Sequence, residues 1–362
     1  MRICYYSTVP YLHNHPMGGY AHIGQFVSQA TALGHEVWMW RGGEHPDVKP
    51  MPTGGLARLK LLRQMDLIYC RVEWKPPDNV RWVRPSVRPF IGRAKTAWEF
   101  NTVPEYAQSR GVPQPAVDAA IHEFKRHAAG VDLAVCVSQG ITDYVRDKLG
   151  FARVATVPNG SDPDLFRPDV PIVKRMLRKP DQLNVAWIGS ADLPWHNFDL
   201  LRDAAWSIWN RGEGERIVFH VIGQGMKGLR DAPPNVNYYG PEEYHQLPGW
   251  LSAMDVGLNI YRRGPADFSS PLKVFDYMAS GMTVVSTDQP QVREIFQQLN
   301  QADLLVEGDQ PEQLATVLRR LAADPDLRRR QGAASRQLII DQYNWRRAVR
   351  DVFSHLDAIK SN

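Results

Sequence analysis

Short apolar runs recur along this 362-residue chain, and each is separated from the next by a stretch long enough for a helix. That spacing constrains the fold tightly, because strands joined by helical crossovers pair in parallel and a parallel sheet needs helices over both faces. In the first half the runs predict strands over 3–7, 36–40, 67–71, 95–100, 133–137 and 155–157, with a helix over 19–33 that Gly34 stops. Residues 162–182 carry Pro163, Pro168, Pro171 and Pro180 and read as the connection between two domains. A second series follows, with strands over 185–188, 217–222, 236–239, 256–260, 283–287 and 304–306, then helices over 311–323, 327–343 and about 345–360. The expected class is α/β: two Rossmann-like, doubly wound parallel-sheet domains of similar size facing across a cleft, with ligands outside the carboxyl ends of the strands.

With 43% hydrophobic and 23% charged residues the chain can bury two cores. A net charge of +4 is modest for this length and does not call for nucleic acid. Cys4, Cys70 and Cys136 lie far apart, each within a predicted strand, and no pair has metal-ligand or redox spacing. They read as core residues of a reduced, cytoplasmic protein. No apolar run approaches the ~18 residues that span a bilayer, and the first residues enter a strand directly, without a signal-peptide layout. The expectation is a soluble or peripheral protein.

The segment 269–281 carries the clearest chemistry. Ser269 and Ser270 stand where caps belong, Pro271 at the first helical position and Gly281 just past the end, before a β-branched strand. Lys273 then places a cation in the first turn, where it opposes the helix dipole. An anion held there by the ammonium and free backbone N–H groups would account for it. Asp276 lies on the same helical face, within reach of hydroxyls attached to that anion, and a phosphate beside a polyol describes a nucleotide. The same spacing fits an ordinary amphipathic helix with a solvated lysine.

Across nearly its whole length the chain resembles the retaining glycosyltransferases of the GT-B fold, in particular family 4. The residues that carry the likeness are Gly18-Gly19 after the first strand, 32–37 (Ala-Leu-Gly-His-Glu-Val), Pro158-Asn159-Gly160 with Asp162, Phe166 and Pro168, Gly223-Gln224-Gly225, 253–256 and the Lys273 helix. The resemblance implies metal-independent transfer of a sugar, of hexosyltransferase type, from a nucleoside-diphosphate sugar to a hydroxyl acceptor such as a lipid-linked or polysaccharide precursor. On family frequency UDP stands ahead of GDP. It implies an acceptor-side domain over 1–170, with the last helix, 345–362, packing back on it, and a nucleotide-sugar domain over 171–344. Lys273 and the amides around Ser270, Pro271 and Leu272 would hold the diphosphate, Asp276 the ribose hydroxyls, and Gly18, Gly19 and Gly223 would allow close approach. Three positions depart from the family pattern. Phe268 stands where a glutamate is usual, and Ser190 and His196 where an arginine and a lysine are usual. A protonated His196, or Arg262 with Arg263, could supply the missing charge. These departures keep open a second reading, a non-catalytic GT-B protein that binds a nucleotide or a protein partner. A GT-B epimerase fits the Ser270–Asp276 pattern less well, and a nicotinamide dehydrogenase lacks its glycine fingerprint.

On the acceptor side, Glu99 and Asn101 share one face at a strand's carboxyl end. By analogy with a Glu-x-Asn pattern in some family members, Glu99 would position or deprotonate the acceptor hydroxyl. His15, among the histidines flanking the glycine pair (His13, His15, His22), is a candidate contact. From Arg58 to Lys95 the chain holds ten lysines and arginines against three acids, with Trp74, Trp82 and Phe90 among them. This composition suits an anionic membrane surface or a lipid-phosphate acceptor, and equally a solvated loop.

Overall fold

In this computed structural model the residues described are 1–7, 11, 18–40, 45–76, 92, 94–174, 179, 181–225 and 231–359. His13 and His15 lie outside them, as do 77–91 and 93 of the basic stretch. The chain forms two compact units: Met1–Asn159 with Phe268–Ser270 and Trp345–Asn362, and Gly160–Asp267 with Pro271–Asn344.

The first unit is built on β1 (Arg2–Ser7), α1 (Gly18–Ala32), β2 (Glu36–Trp40), β3 (Lys49–Pro50), α2 (Gly55–Leu62), β4 (Leu67–Val72), β5 (Lys95–Phe100), α3 (Gln114–Ala128), β6 (Leu133–Cys136), α4 (Gln139–Asp143) and β7 (Val154–Thr156). The strands pair in parallel in the order β3-β2-β1-β4-β5-β6-β7. The alternation of side chains along each strand sorts the core into two layers. Ile3, Tyr5, Leu67, Tyr69 and Ala97 pack with Ile23, Phe26 and Val27 of α1 and with Val349, Val352 and Phe353 of the C-terminal helix Trp345–Asp357. Cys4, Tyr6, Ile68, Cys70, Trp98 and Phe100 face Phe124 of α3 and Phe151. All three cysteines are buried thiols.

The second unit holds β8 (Leu183–Ser190), α5 (Phe198–Asn210), β9 (Ile217–Gln224), β10 (Val236–Gly240), α6 (Leu247–Leu251), β11 (Val256–Asn259), α7 (Leu272–Ala279), β12 (Thr283–Thr287), α8 (Pro290–Gln298), β13 (Leu305–Val306), α9 (Pro311–Ala323) and α10 (Pro325–Asp341). Its sheet, also parallel, runs β10-β9-β8-β11-β12-β13. Both sheets thus reverse direction beside their first strand, at β1/β4 and β8/β11, and doubly wound sheets bind ligands at that point. The connection expected over 162–182 belongs with this unit, where Arg336 of α10 donates to the carbonyls of Pro163 and Phe166 (3.1 and 2.8 Å) and to that of Ala279.

Three local details depart from the sequence reading. Gly18 and Gly19 form the first turn of α1 and not a loop before it. Pro271 is the N-cap of α7 rather than its first helical residue, and no side chain caps that end. Ser270 Oγ instead accepts from the N–H of Asn159, whose Nδ2 donates to the Ser270 carbonyl at 2.7 Å. The other end of α7 follows expectation. Gly281, at φ +75°, donates to the carbonyl of Met278, and Met282 to that of Tyr277, a Schellman closure.

Candidate functional site

In the second unit, β8 carries Gly189 and Ser190 to the reversal point beside β11. Gly189 pairs in register with Gly223 of β9. A Cβ on Gly223 would lie 1.6 Å from the Gly189 carbonyl oxygen, and its φ of +149° is one that L side chains rarely adopt. Gly223 therefore lets two backbones approach within the unit, whatever else it contacts. Gly223→Ala should lose at least about 3 kcal/mol of stability, seen as a lower denaturant midpoint at unchanged m.

Beyond Ser190 the chain turns back and His196 bridges to Tyr261. His196 Nδ1 lies 2.6 Å from the Ser190 carbonyl oxygen. A carbonyl only accepts, so Nδ1 carries the proton and Nε2 presents its lone pair. That lone pair faces Lys273 Nζ at 3.3 Å. Burial first, and the Lys273 charge second, push the imidazole down to about 2. His196 is neutral at physiological pH, so the expected compensation by a protonated His196 does not occur.

Lys273 enters from the first turn of α7. Its ammonium lies 5.0 Å from the Trp187 ring centroid and 5.1 Å from that of Tyr261. Among the described residues no carboxylate pairs with it. Burial pulls its pKa down to about 7. A cation boxed by two aromatic rings and an imidazole, at the positive end of a helix, is short of counter-charge.

Asp276, one turn further along α7, is buried. Its Oδ1 accepts from Ser161 Oγ at 2.6 Å and from Tyr244 OH at 3.4 Å. Burial raises its carboxyl to about 7 against these two donors. Arg262 does not stand free, because it pairs with Asp199, and Arg263 reaches Glu307 at 3.4 Å and Asp288 at 3.7 Å. Neither replaces the missing cations as an unpaired charge. Asp267 accepts from the N–H of Gly264 at 3.1 Å.

In the first unit, Glu99 on β5 is 2% exposed, and three hydrogen-bond donors and the His22 ring meet its carboxylate. Arg71 Nη1 (2.9 Å), His22 Nε2 (2.8 Å) and Asn101 Nδ2 meet its Oε1, and Tyr69 OH meets Oε2 at 2.7 Å. Burial alone would raise this carboxyl, but His22, Arg71 and Tyr69 together hold it down to about 2. A carboxylate so stabilised has little proton affinity at neutral pH, so the expected deprotonation of an acceptor by Glu99 is not supported. What the geometry allows it is positioning: it fixes Arg71, whose Nη2 would lie 3.9 Å from a Cβ on Gly19, and it fixes His22 of α1. Also in this unit, the Phe268 ring lies against Gly140, where a Cβ would come within 2.7 Å of it, and the Phe268 carbonyl accepts from Ser138.

The expected Lys273, Ser190 and His196 thus meet at one end of the second sheet, Asp276 lies one turn along the same helix with Ser161 and Tyr244, and Glu99 meets Asn101 in the first unit. Sequence reading passed over the roles of Trp187, Tyr261, Ser161 and Tyr244, and of Tyr69 and Arg71. Arg71 alone left a trace, as a charged residue closing an otherwise apolar strand run.

Two parallel sheets, each doubly wound, make up the GT-B fold. Residues 204–354, less than half of the chain, match the family described as glycosyl transferase-like. The putative teichuronic acid biosynthesis glycosyltransferase TuaH of Bacillus subtilis is 28% identical over 190 residues, which is 50% of this chain and 46% of that protein. A GDP-mannose-dependent alpha-(1-6)-phosphatidylinositol monomannoside mannosyltransferase of Mycobacterium tuberculosis is 26% identical over 235 residues, 61% of this chain and 60% of that one. The crystal structure of HepE from Anabaena, in complex with UDP-glucose, superposes with a TM-score of 0.66 at 14% identity, covering 99% of this chain and 100% of that one. By fold the chain is a GT-B protein, and over 204–354 its sequence is similar to the glycosyl transferase-like family. It spans between 46% and 60% of the length of these two curated relatives.

Proposed function

We propose that this protein is a retaining glycosyltransferase that takes its sugar from a nucleoside-diphosphate sugar, UDP ahead of GDP, needs no metal ion, and delivers the sugar to a hydroxyl acceptor. One observation carries the reading: among the described residues, the ammonium of Lys273 sits at the start of α7 without a carboxylate, against a neutral imidazole and two aromatic faces. A diphosphate placed there would supply the missing counter-charge. Transfer leaves further negative charge on the departing diphosphate, so the lysine and the free N–H groups of the helix would stabilise the transition state more than the ground state. Asp276, on the same face of α7, would take the ribose hydroxyls. HepE, whose crystal structure contains UDP-glucose, supports the UDP reading; the M. tuberculosis relative is GDP-mannose-dependent, and the two bases are separated by experiment.

The acceptor would lie with the first unit, where Glu99 positions Arg71 and His22. A peripheral membrane contact through 58–95 fits the described part of that stretch: α2 leaves Leu56 86% exposed beside the exposed Lys60 and Arg63. No described helix is long and apolar enough to cross a membrane.

Thermal denaturation with UDP, GDP and ADP tests the proposal, since a ligand that binds only the folded state raises the melting temperature. One of the three, with UDP first, should raise it, and a matching sugar donor should release that nucleotide when acceptor is present. The absence of a shift with all three overturns the reading. A shift with no release from a panel of sugar donors favours the non-catalytic alternative.

A further inference from the structure

Ser161 has no role in the function proposed above, yet its hydroxyl is fully buried and touches a carboxylate that does. Its backbone is fixed. The Ser161 N–H donates to the Tyr343 carbonyl at 3.0 Å, Ser161 bridges to Asn344, and a Cβ on the preceding Gly160 would strike the Tyr343 carbonyl oxygen at 2.7 Å. The hydroxyl therefore meets Asp276 from an anchored position, 2.6 Å from Oδ1. Tyr244 OH approaches the same oxygen at 3.4 Å. Among the described residues no group donates to Oδ2. A carboxylate with one oxygen engaged by fixed donors and the other unclaimed is prepared for a ligand's hydroxyls rather than for a protein partner.

We infer that Ser161, assisted by Tyr244, is a positioning residue that holds Oδ1 of Asp276 and so presents Oδ2 to the vicinal hydroxyls of the donor's ribose. The inference rests on the nucleotide reading above and adds the device that orients its diol-binding group. The charged and titratable surroundings are few. Asp162 disfavours the ionised form, Tyr244 and Ser161 favour it, and Tyr277 lies close enough along α7 to feel its charge. From α10, Arg336 is directed to the Ala279 carbonyl at the far end of α7, and β11 and β12 bring no titratable residue. Burial leaves the carboxyl near 7, so the Ser161 bond decides how much of it is ionised at neutral pH.

The experiment measures binding of UDP and of 2′-deoxy-UDP by calorimetry from pH 6 to 9, in the full chain and in Ser161→Ala, Ser161→Thr and Tyr244→Phe. The unaltered chain should prefer the ribonucleotide increasingly as pH rises through about 7. Ser161→Ala should shift the midpoint of that preference upward by about one pH unit and weaken UDP binding about fivefold at neutral pH. It should weaken 2′-deoxy-UDP, which keeps only the 3′-hydroxyl, less than it weakens UDP. Ser161→Thr, which keeps the hydroxyl, should restore the profile, and Tyr244→Phe should shift it less. An unshifted profile in Ser161→Ala, or equal weakening of both nucleotides, overturns the inference while the nucleotide reading stands. If the unaltered chain binds none of UDP, GDP and ADP, the reading and the inference fall together.

Discussion

Replacing Lys273 by alanine should remove the nucleotide-dependent rise in melting temperature and lower turnover about 10²- to 10³-fold, the loss typical of deleting one preorganised group aimed at developing negative charge. The expectation is large because, among the described residues, no second free cation stands near. His196 is neutral, and Arg262 and Arg263 are engaged with carboxylates. The variant should not lose the ligand response merely by unfolding. Lys273 titrates near 7 in the fold against an ordinary 10.5. Between those values the unfolded chain holds the extra proton, so the stability of the parent protein rises with pH from about 7 to 10.5, and Lys273→Ala should lack that rise. Diphosphate binding should restore the ammonium, and proton uptake near pH 8 is measurable by calorimetry in buffers of differing ionisation enthalpy.

The second large effect concerns Glu99. Glu99→Gln should cost about 3 kcal/mol in unfolding free energy at pH 7, because it leaves the Arg71 guanidinium buried without its main counter-charge. The pH dependence has a definite sign. The folded pKa of about 2 lies below the ordinary 4.5, so the contribution is fully present above about 4.5 and fades as pH falls towards 2. The gap between parent and variant should close over that window in denaturant titrations. UDP should still raise the melting temperature of the variant, since Lys273 is untouched. Equal loss of stability and nucleotide response would contradict this division of labour.

The alternation of β-branched runs and helical patterns made both sheets legible, because a buried parallel strand has a composition of its own. Among the described residues only the two-residue strand Lys49–Pro50, too short to leave a pattern, went unread. The helix over 272–279 and its glycine stop were also legible, since Gly281 at positive φ is a local requirement. What the sequence could not convey was set by neighbours distant along the chain. Whether His196 carries charge depends on the Ser190 carbonyl and on Lys273, 77 residues away. The low proton affinity of Glu99 comes from Tyr69, Arg71 and His22, which belong to other elements. Ser270 looked like a helix cap until Asn159, 111 residues earlier, was found to hold it. Residue types at fixed spacing announce a strand or a helix start, whereas protonation and hydrogen-bond partners follow from packing.

Crystals grown with saturating UDP put the matter most directly. The β-phosphate should lie about 2.8 Å from Lys273 Nζ, as expected for a charge-assisted hydrogen bond, with the phosphate oxygens meeting the N–H groups that open α7. UDP bound elsewhere on the chain, or a Lys273 ammonium still facing His196 with no phosphate beside it, would contradict the assignment of this helix start as the diphosphate site.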